Sequence, residues 1–493
     1  MSEPSEPERY SIDDMMDRLK HRPSEESLAD GELVTRADGT QAIKVRRRKR
    51  RSHQPHKEEK RIAMRARMIQ VSGALILIML GLLAAGGAIV YGNSAPFRKA
   101  LLSKITSASG AAAELQQFRM NPASANANLV VLKWPKGNVL SELNVRGVRA
   151  EIRPSSFLGK AMVGEEIKSP EANLFLRVPD PAAPTREAVA TAPAAVRFKR
   201  YATSKLNVVC GDPSAPLLRM FESDASFEPD SAGGRPQLLL NRGHLSLPGW
   251  PKLNIDRAHI EFRGPEIDII SLRFRHETDL RGRFEITGTV LPYQNDRPSS
   301  LAVEIETYPL AGIAGPELGK LFSGRIDTLS SAKSNYLTFA PGANPQGNLT
   351  VDFRNSLGDP LEISGFPFLI GIAQILDDDW FERPVFESDA TGTLRRANGN
   401  VTLGNLNMEN KGRIAIRGTL AKTQSGSLAG KLEVGLADAM IKSSGNRRLQ
   451  TMFGPNTDGF RWLGVAVSGS STAPADDFRQ QYEAAAAAPA EPR

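Results

Sequence analysis

Cysteine is almost missing from this chain: Cys210 is the only one in 493 residues. An intrachain disulfide is therefore excluded, and so is a multi-cysteine metal or iron–sulfur site. Histidine is scarce, and beyond residue 56 only His244, His259 and His276 remain. They show no His-x-x-x-His spacing, and His259 lies between Ala258 and Ile260 so that it points away from them. Phosphate-cradling glycine loops, a Gly-x-Ser-x-Gly elbow and a dinucleotide fingerprint are all absent. Asp377, Asp378 and Asp379 follow an apolar helical stretch and point in different directions, so they read as a solvated helix end. Cys210 has no evident histidine partner and reads as structural. The expectation is a protein that is not an enzyme and needs no metal or cofactor.

The net charge is +8, but it is local. Residues 1–43 carry 5 basic and 11 acidic side chains, residues 44–67 carry 12 and 2, and the remainder is nearly balanced at 46 and 42. The basic block centres on Arg46 to Arg51 and has no interleaved aromatics. That pattern fits a topology signal attracted to anionic headgroups better than a nucleic-acid site, so no nucleic-acid partner is expected. Directly after it, Met68 to Phe97 contains no charged residue. A helix crossing the hydrocarbon layer needs about 20 apolar residues. The run lies too far into the chain for an ordinary signal peptide. It reads as an uncleaved transmembrane helix over 68–91 with the N-terminus cytoplasmic; cleavage near Ser94–Ala95 is the alternative.

The pattern divides the chain further. Residues 1–67 read as a mostly disordered cytoplasmic tail, with a capped helix from Ser11 to Lys20 and a small hairpin around Asp38–Gly39. Residues 92–178 and 197–480 read as β regions on either side of a Pro/Ala-rich linker at 179–196, and 481–493 as a disordered tail. Apolar residues recur at every second position, for example Leu143/Val145, Leu174/Leu176, Phe284/Ile286 and Leu432/Val434/Leu436. A sheet with one dry and one wet face requires this. Helix candidates are few: Pro154–Met162, a short one from Pro96 to Ile105, and Phe366–Trp380 with Leu369, Ile372, Ala373 and Leu376 on one face. Gly282–Val290 and Gly412–Leu420 echo each other 130 positions apart.

Three stretches carry a family resemblance. Leu143–Ile152, Pro154–Gly159 and Glu166–Leu176 look like a strand–short helix–strand unit. Gly392–Leu394, Asn405–Met408, Gly412–Gly418 and Leu428–Gly435 look like a closing β unit, which ends at Val467–Ser470 before Pro474. Together with the N-terminal anchor, the region 140–480 resembles the AsmA-like family, whose larger relatives include TamB and the bridge-like lipid transfer proteins. The cytoplasmic tail is longer than the family's usual few residues. The resemblance implies a mainly β fold: a single N-terminal transmembrane helix, then an elongated, curled, antiparallel, gutter-like sheet with few short helices. It implies an inner-membrane protein with its bulk in the periplasm, acting in outer-membrane biogenesis. Its partners would be the inner membrane, membrane phospholipids and an envelope protein.

A gutter carries acyl chains on its apolar floor, each buried CH2 contributing about 0.8 kcal/mol. About 15–20 strands would make a floor on the order of 70–95 Å long. The expected floor residues are Phe274, Ile286, Val303, Phe353, Ile414 and Ile416, with Arg273, Glu285, Glu304 and Asp352 on the wet side. The alternatives are a closed sandwich core in place of a groove, and an envelope scaffold or assembly factor without lipid cargo.

Overall fold

The computed structural model describes residues 32–35, 37–44, 75–80, 86–87, 89–121, 123–153, 162–178, 196–229, 234–264, 266–291, 298–329, 334–340, 344–388 and 390–487. Contacts divide the chain into Met1–Gly81 and Leu82–Arg493. In the first unit, Glu32–Thr35 pairs antiparallel with Gln41–Lys44 around Gly39, whose φ is +81°. The hairpin thus forms where Asp38–Gly39 places it. The expected helix at 11–20 and the linker at 179–195 lie outside the described residues, as does 154–161 of a third expected element. Within 68–91, residues 75–80, 86–87 and 89–91 are helical, and Leu75 to Leu80 are 56–71% exposed. No helix among the described residues is long and apolar enough to cross a membrane.

The second unit is mainly β. Ala112–Gln116 and Arg119–Asn121 share one flank of Ser124–Lys133, whose other flank pairs with Leu140–Ile152. Next come Met162–Ser169 and Glu171–Leu176, then Val196–Asp212 and Ala215–Glu228. The sheet continues through Gln237–Asn241 and His244–Ser246, Leu253–Arg263, Glu266–Arg275, Arg283–Val290 and Ser299–Glu306. It crosses Tyr336–Ala340 to Asn344–Asn355, then runs through Thr391–Ala397, Asn400–Asn410, Ile414–Lys422, Leu428–Ala437 and Phe460–Ser470 to Ala473–Asp476.

Where one rank is split, as in Gln237–Asn241 and His244–Ser246, both pieces pair with the same two neighbours. This closes small rings within the hydrogen-bond network. No ladder joins the first rank to the last among the described residues, so the sheet curls without closing end to end.

Two expectations change here. The sheet is mixed, because Met162–Ser169 and Glu171–Leu176 both run parallel to Val196–Asp212. The described strands on either side of 179–195 are thus neighbours in one sheet. Nor does a disordered tail begin at 481: Phe478–Ala487 is a helix. Alanine has the highest helix propensity. Phe478, 2% exposed, anchors its start, and Tyr482 accepts a hydrogen bond from Asn446 at 3.0 Å.

The curl has a local cause. β-bulges bend and twist a strand, and register shifts recur along the sheet, at Met220/Ser223, Ile255/Arg257, Ile269/Leu272 and Leu403/Leu406 among others. The internal echo marks two of them. Gly288 and Gly418 hold φ of +132° and +130°, and each faces a bulge in the preceding strand. A Cβ at Gly418 would lie 2.2 Å from the Lys431 carbonyl oxygen, so only glycine fits there.

The concave side is filled in the C-terminal half. Phe366, Phe368, Leu369 and Ile372, from the segment around the helix Pro367–Leu376, are fully buried against the sheet. Ile441 and Leu449, from the helices Asp438–Ser443 and Arg447–Met452, and Phe478 pack into the same core. Across the interior, Ala215–Glu228 comes against Asn344–Asn355. The last edge is sealed by side chains: Asp477 accepts from the Ala466 N–H at 2.9 Å and Gln481 donates to the Gly464 carbonyl at 2.9 Å. Capping the backbone groups in this way removes a template for unwanted strand addition.

Candidate functional site

The six expected floor residues all lie on the dry face. Phe274, Ile414 and Ile416 are 0% exposed, Phe353 1%, Ile286 5% and Val303 6%. All belong to the one core that the helices cover. Their neighbours Arg273 and Glu285 pair on the other face at 3.2 Å, while Arg283 reaches Glu304 at 3.2 Å. Strand parity is thus as the alternation predicts, but protein encloses these positions. The open apolar surface is elsewhere.

It lies in the first ranks of the sheet, under the helix Ala95–Ser109. Ser94 caps this helix by accepting from the Phe97 N–H, Pro96 occupies its first turn, and Gly110 ends it at φ +68°. These are the start and stop residues such a helix needs. Trp134 Nε1 donates to the Ser109 carbonyl at 2.9 Å and pins the helix end to the sheet. At the other end, the Asn93 side chain accepts from the Met120 N–H at 2.8 Å and donates to the Met120 carbonyl at 2.9 Å. The sheet touches the helix at both Ala112–Gln116 and Val196–Asp212, so the ranks between curl round it.

Between helix and sheet lies a cavity of about 410 Å³, lined by Leu101, Ile105, Val130, Val145, Ile152 and Phe198 among others. Almost every lining side chain is apolar; Ser109, Asn126 and the Tyr201 phenol are the exceptions. Its size suits a small apolar ligand. Gly164 is what admits Phe198: a Cβ there would lie 2.1 Å from the Phe198 ring. Burial pushes the Tyr201 hydroxyl up from its usual pKa, and a hydrogen bond with the Phe198 backbone partly offsets this.

Apolar residues lead away from the cavity. From Leu143 in its wall, directly paired positions run through Leu174, Val208, Met220 and Leu245 to Leu253. A second row runs from Ile167 through Tyr201, Phe227, Leu238 and Ile260 to Ile269. Along it, the ring pairs Phe198–Tyr201, Tyr201–Phe227 and Phe227–Phe262 each sit at 6.1 Å. Many of these side chains are half-buried: Leu174, Leu245, Phe227, Leu238 and Ile260 are covered less completely than the C-terminal core. The opposite face is polar there, with Asn207 donating to Asn173 at 2.8 Å.

Among the described residues, the titratable groups singled out above keep to local partners. Asp378 accepts from the Trp380 N–H and lies 3.6 Å from Arg413, so it caps a turn. His244 pairs with Asn254 at 2.7 Å and His259 lies 3.7 Å from Glu261. Among the described residues no group of three or more His, Cys, Asp or Glu side chains is placed to hold a metal ion. Cys210 is a free, half-buried thiol whose pKa burial raises. Sequence reasoning picked out Leu143, Val145 and Leu174 as strand residues but did not place them at the site. The helix itself was expected from Pro96 to Ile105; what the sequence did not show is that Ala95–Ser109 docks over these strands and turns one stretch of dry face into a cavity.

No family model, no curated protein and no solved structure matches this chain. The AsmA-like resemblance therefore rests on the motifs themselves.

Proposed function

We propose that this is a membrane-anchored, AsmA-like protein of the bacterial inner membrane, with its bulk in the periplasm, that handles phospholipid during envelope or outer-membrane biogenesis. The observation that carries the reading is the apolar cavity beneath Ala95–Ser109, from which half-buried apolar rows lead along the sheet. That helix follows a run whose described residues Leu75 to Leu80 expose bulky apolar side chains, a surface that a bilayer would cover. Among the described residues about nineteen ranks at ~4.8 Å each put the path across the curled sheet on the order of 85 Å, which supports reading it as a gutter.

The test is photo-crosslinking in cells. A crosslinker at Leu143 or Val145 is expected to capture phospholipid, and one at Asn144 or Arg146 is not. Equal labelling of both sets would sink the lipid reading. A phosphatase fused after Asn121 is expected to be active and one fused after Thr40 inactive; the reverse would overturn the topology. One observation favours the second reading, an envelope scaffold or assembly factor without lipid cargo. The C-terminal half has a packed core and a sealed edge, as a structural domain does. Capture of protein alone at Leu143 and Val145 would favour it.

A further inference from the structure

The volume under Ala95–Ser109 limits what can enter it. A cavity of about 150 Å³ holds a six-carbon ring, which is ~25 Å³ per carbon. On that scale a cavity of about 410 Å³ holds ~16 carbons. Those carbons must also be strung out. Along the strand Ser124–Lys133 the lining runs from Ala125 to Leu132, a distance of about 23 Å at ~3.3 Å per residue. The roof is one helix face, with Leu101, Ile105 and Ala108 at helical spacing. A compact ring would leave the ends of such a space unfilled, and an extended chain would not.

The wall has nothing to hold a headgroup. Among the described residues no charged side chain lines the cavity. The Ser109 hydroxyl is already engaged, donating to the Ile105 carbonyl at 2.7 Å and accepting from the Ala111 N–H at 3.2 Å. Asn126 is exposed between the buried Ala125 and Ala127, so its amide belongs to the wet side. The remaining polar group in the lining is the neutral Tyr201 phenol. An ionised carboxylate or phosphate inside would lose its hydration and gain no counter-ion. A second chain of equal length would need as much volume again. Outside the cavity, the half-buried Leu174 and Leu245 continue the apolar row and offer a surface for it.

We propose that this cavity is a one-chain site: it takes a single hydrocarbon chain of about 16 carbons and leaves the headgroup, and any second chain, outside. The proposal deepens the lipid reading and rests on it. What it adds is a count of chains and a preferred length.

The experiment uses the full-length chain with a diazirine crosslinker at Val145, in the cavity wall. It is reconstituted in vesicles of a phosphatidylcholine with one palmitoyl and one erucoyl chain, doped with equal amounts of decanoyl, palmitoyl and docosanoyl lysophosphatidylcholine. After illumination, mass spectrometry identifies each adduct and the chain that carries it. The palmitoyl lysophospholipid is expected to be captured at least threefold more than either of the others, and the phospholipid is expected to be captured through its palmitoyl chain. Ala127 lines the cavity and is 6% exposed. Ala127→Phe fills part of the space with a six-carbon ring and is expected to move the preference to the decanoyl chain. Should that variant fail to fold, the length profile of the parent decides alone. Equal capture of all three lysophospholipids overturns the proposal and leaves the lipid reading standing, as do crosslinks spread equally over both chains of the phospholipid. Absence of any lipid adduct is instead the failure of the lipid reading, and the proposal falls with it. Capture of the palmitoyl lysophospholipid without the phospholipid assigns the site to single-chain amphiphiles, and capture of both assigns it to one chain of either.

Discussion

Replacing Ile416 and Val145 by alanine, one at a time, separates a packed core from an open apolar wall. Ile416 is 0% exposed and lies between Met408 and Val434 on the neighbouring strands. Truncation there removes three carbons from a close-packed site that relaxes only in part, and such changes cost about 2–5 kcal/mol. Val145 is half-buried and lines a cavity of about 410 Å³. Its truncation widens a space that already exists, so only the transfer of two carbons counts. At ~0.8 kcal/mol per fully buried CH2, half-burial leaves about 1 kcal/mol.

Urea unfolding of the full-length chain in one detergent, read as a midpoint shift at constant slope, is expected to show Ile416→Ala destabilising at least twice as much as Val145→Ala. Equal losses of several kcal/mol would mean that the cavity wall is close-packed. Losses of under ~1 kcal/mol at both would mean that the C-terminal face is an open trough, and the enclosed core described above would be wrong. The wet-face neighbour supplies a control with its own magnitude. Arg417 lies 4.3 Å from the Trp462 ring and faces Glu433 across the ladder. Arg417→Asp therefore loses a cation–π contact of about 0.5–1 kcal/mol and sets two like charges opposite each other.

Two further outcomes are expected. Gly418→Ala forces a Cβ to within 2.2 Å of the Lys431 carbonyl at φ +130° and should lower the melting temperature clearly, whereas Gly464→Ala meets nothing within 4 Å and should leave it within error; equal effects would refute the bulge as the cause. Lys442 and then Arg461, both at 2.6 Å, hold Asp438 below its usual pKa of 3.8. Its contribution is therefore fully present above pH 3.8 and lost as pH falls through the lower folded value, so the urea midpoint of Asp438→Asn should fall less on acidification than the parent's. An identical acid limb in both proteins would rule that pair out as a source of acid lability.

Period-2 alternation was enough to state which side chains share a face. Phe274, Ile286, Val303 and Phe353 are dry, and Arg273, Glu285, Glu304 and Asp352 are their wet neighbours, because a strand turns successive side chains to opposite sides. Asp38–Gly39 announced a hairpin, and the echo of Gly282–Val290 in Gly412–Leu420 announced two similar strands, whose facing bulges only the structure shows. What covers a dry face is a different question, since it depends on segments distant in sequence. Six-residue helices such as Asp438–Ser443 and Arg447–Met452 are too short to show a 3.6-residue period. Yet Ile441 and Leu449 from these helices, with Phe368 and Ile372 from Pro367–Leu376, fill the concave side and turn expected floor residues into core. At the other end, a single helix docked through Ser94, Asn93 and Trp134 leaves a cavity open where the alternation is the same. Local sequence sets backbone conformation and polarity; whether an apolar face meets protein or stays open is set by which remote element reaches it, and only the folded chain decides that.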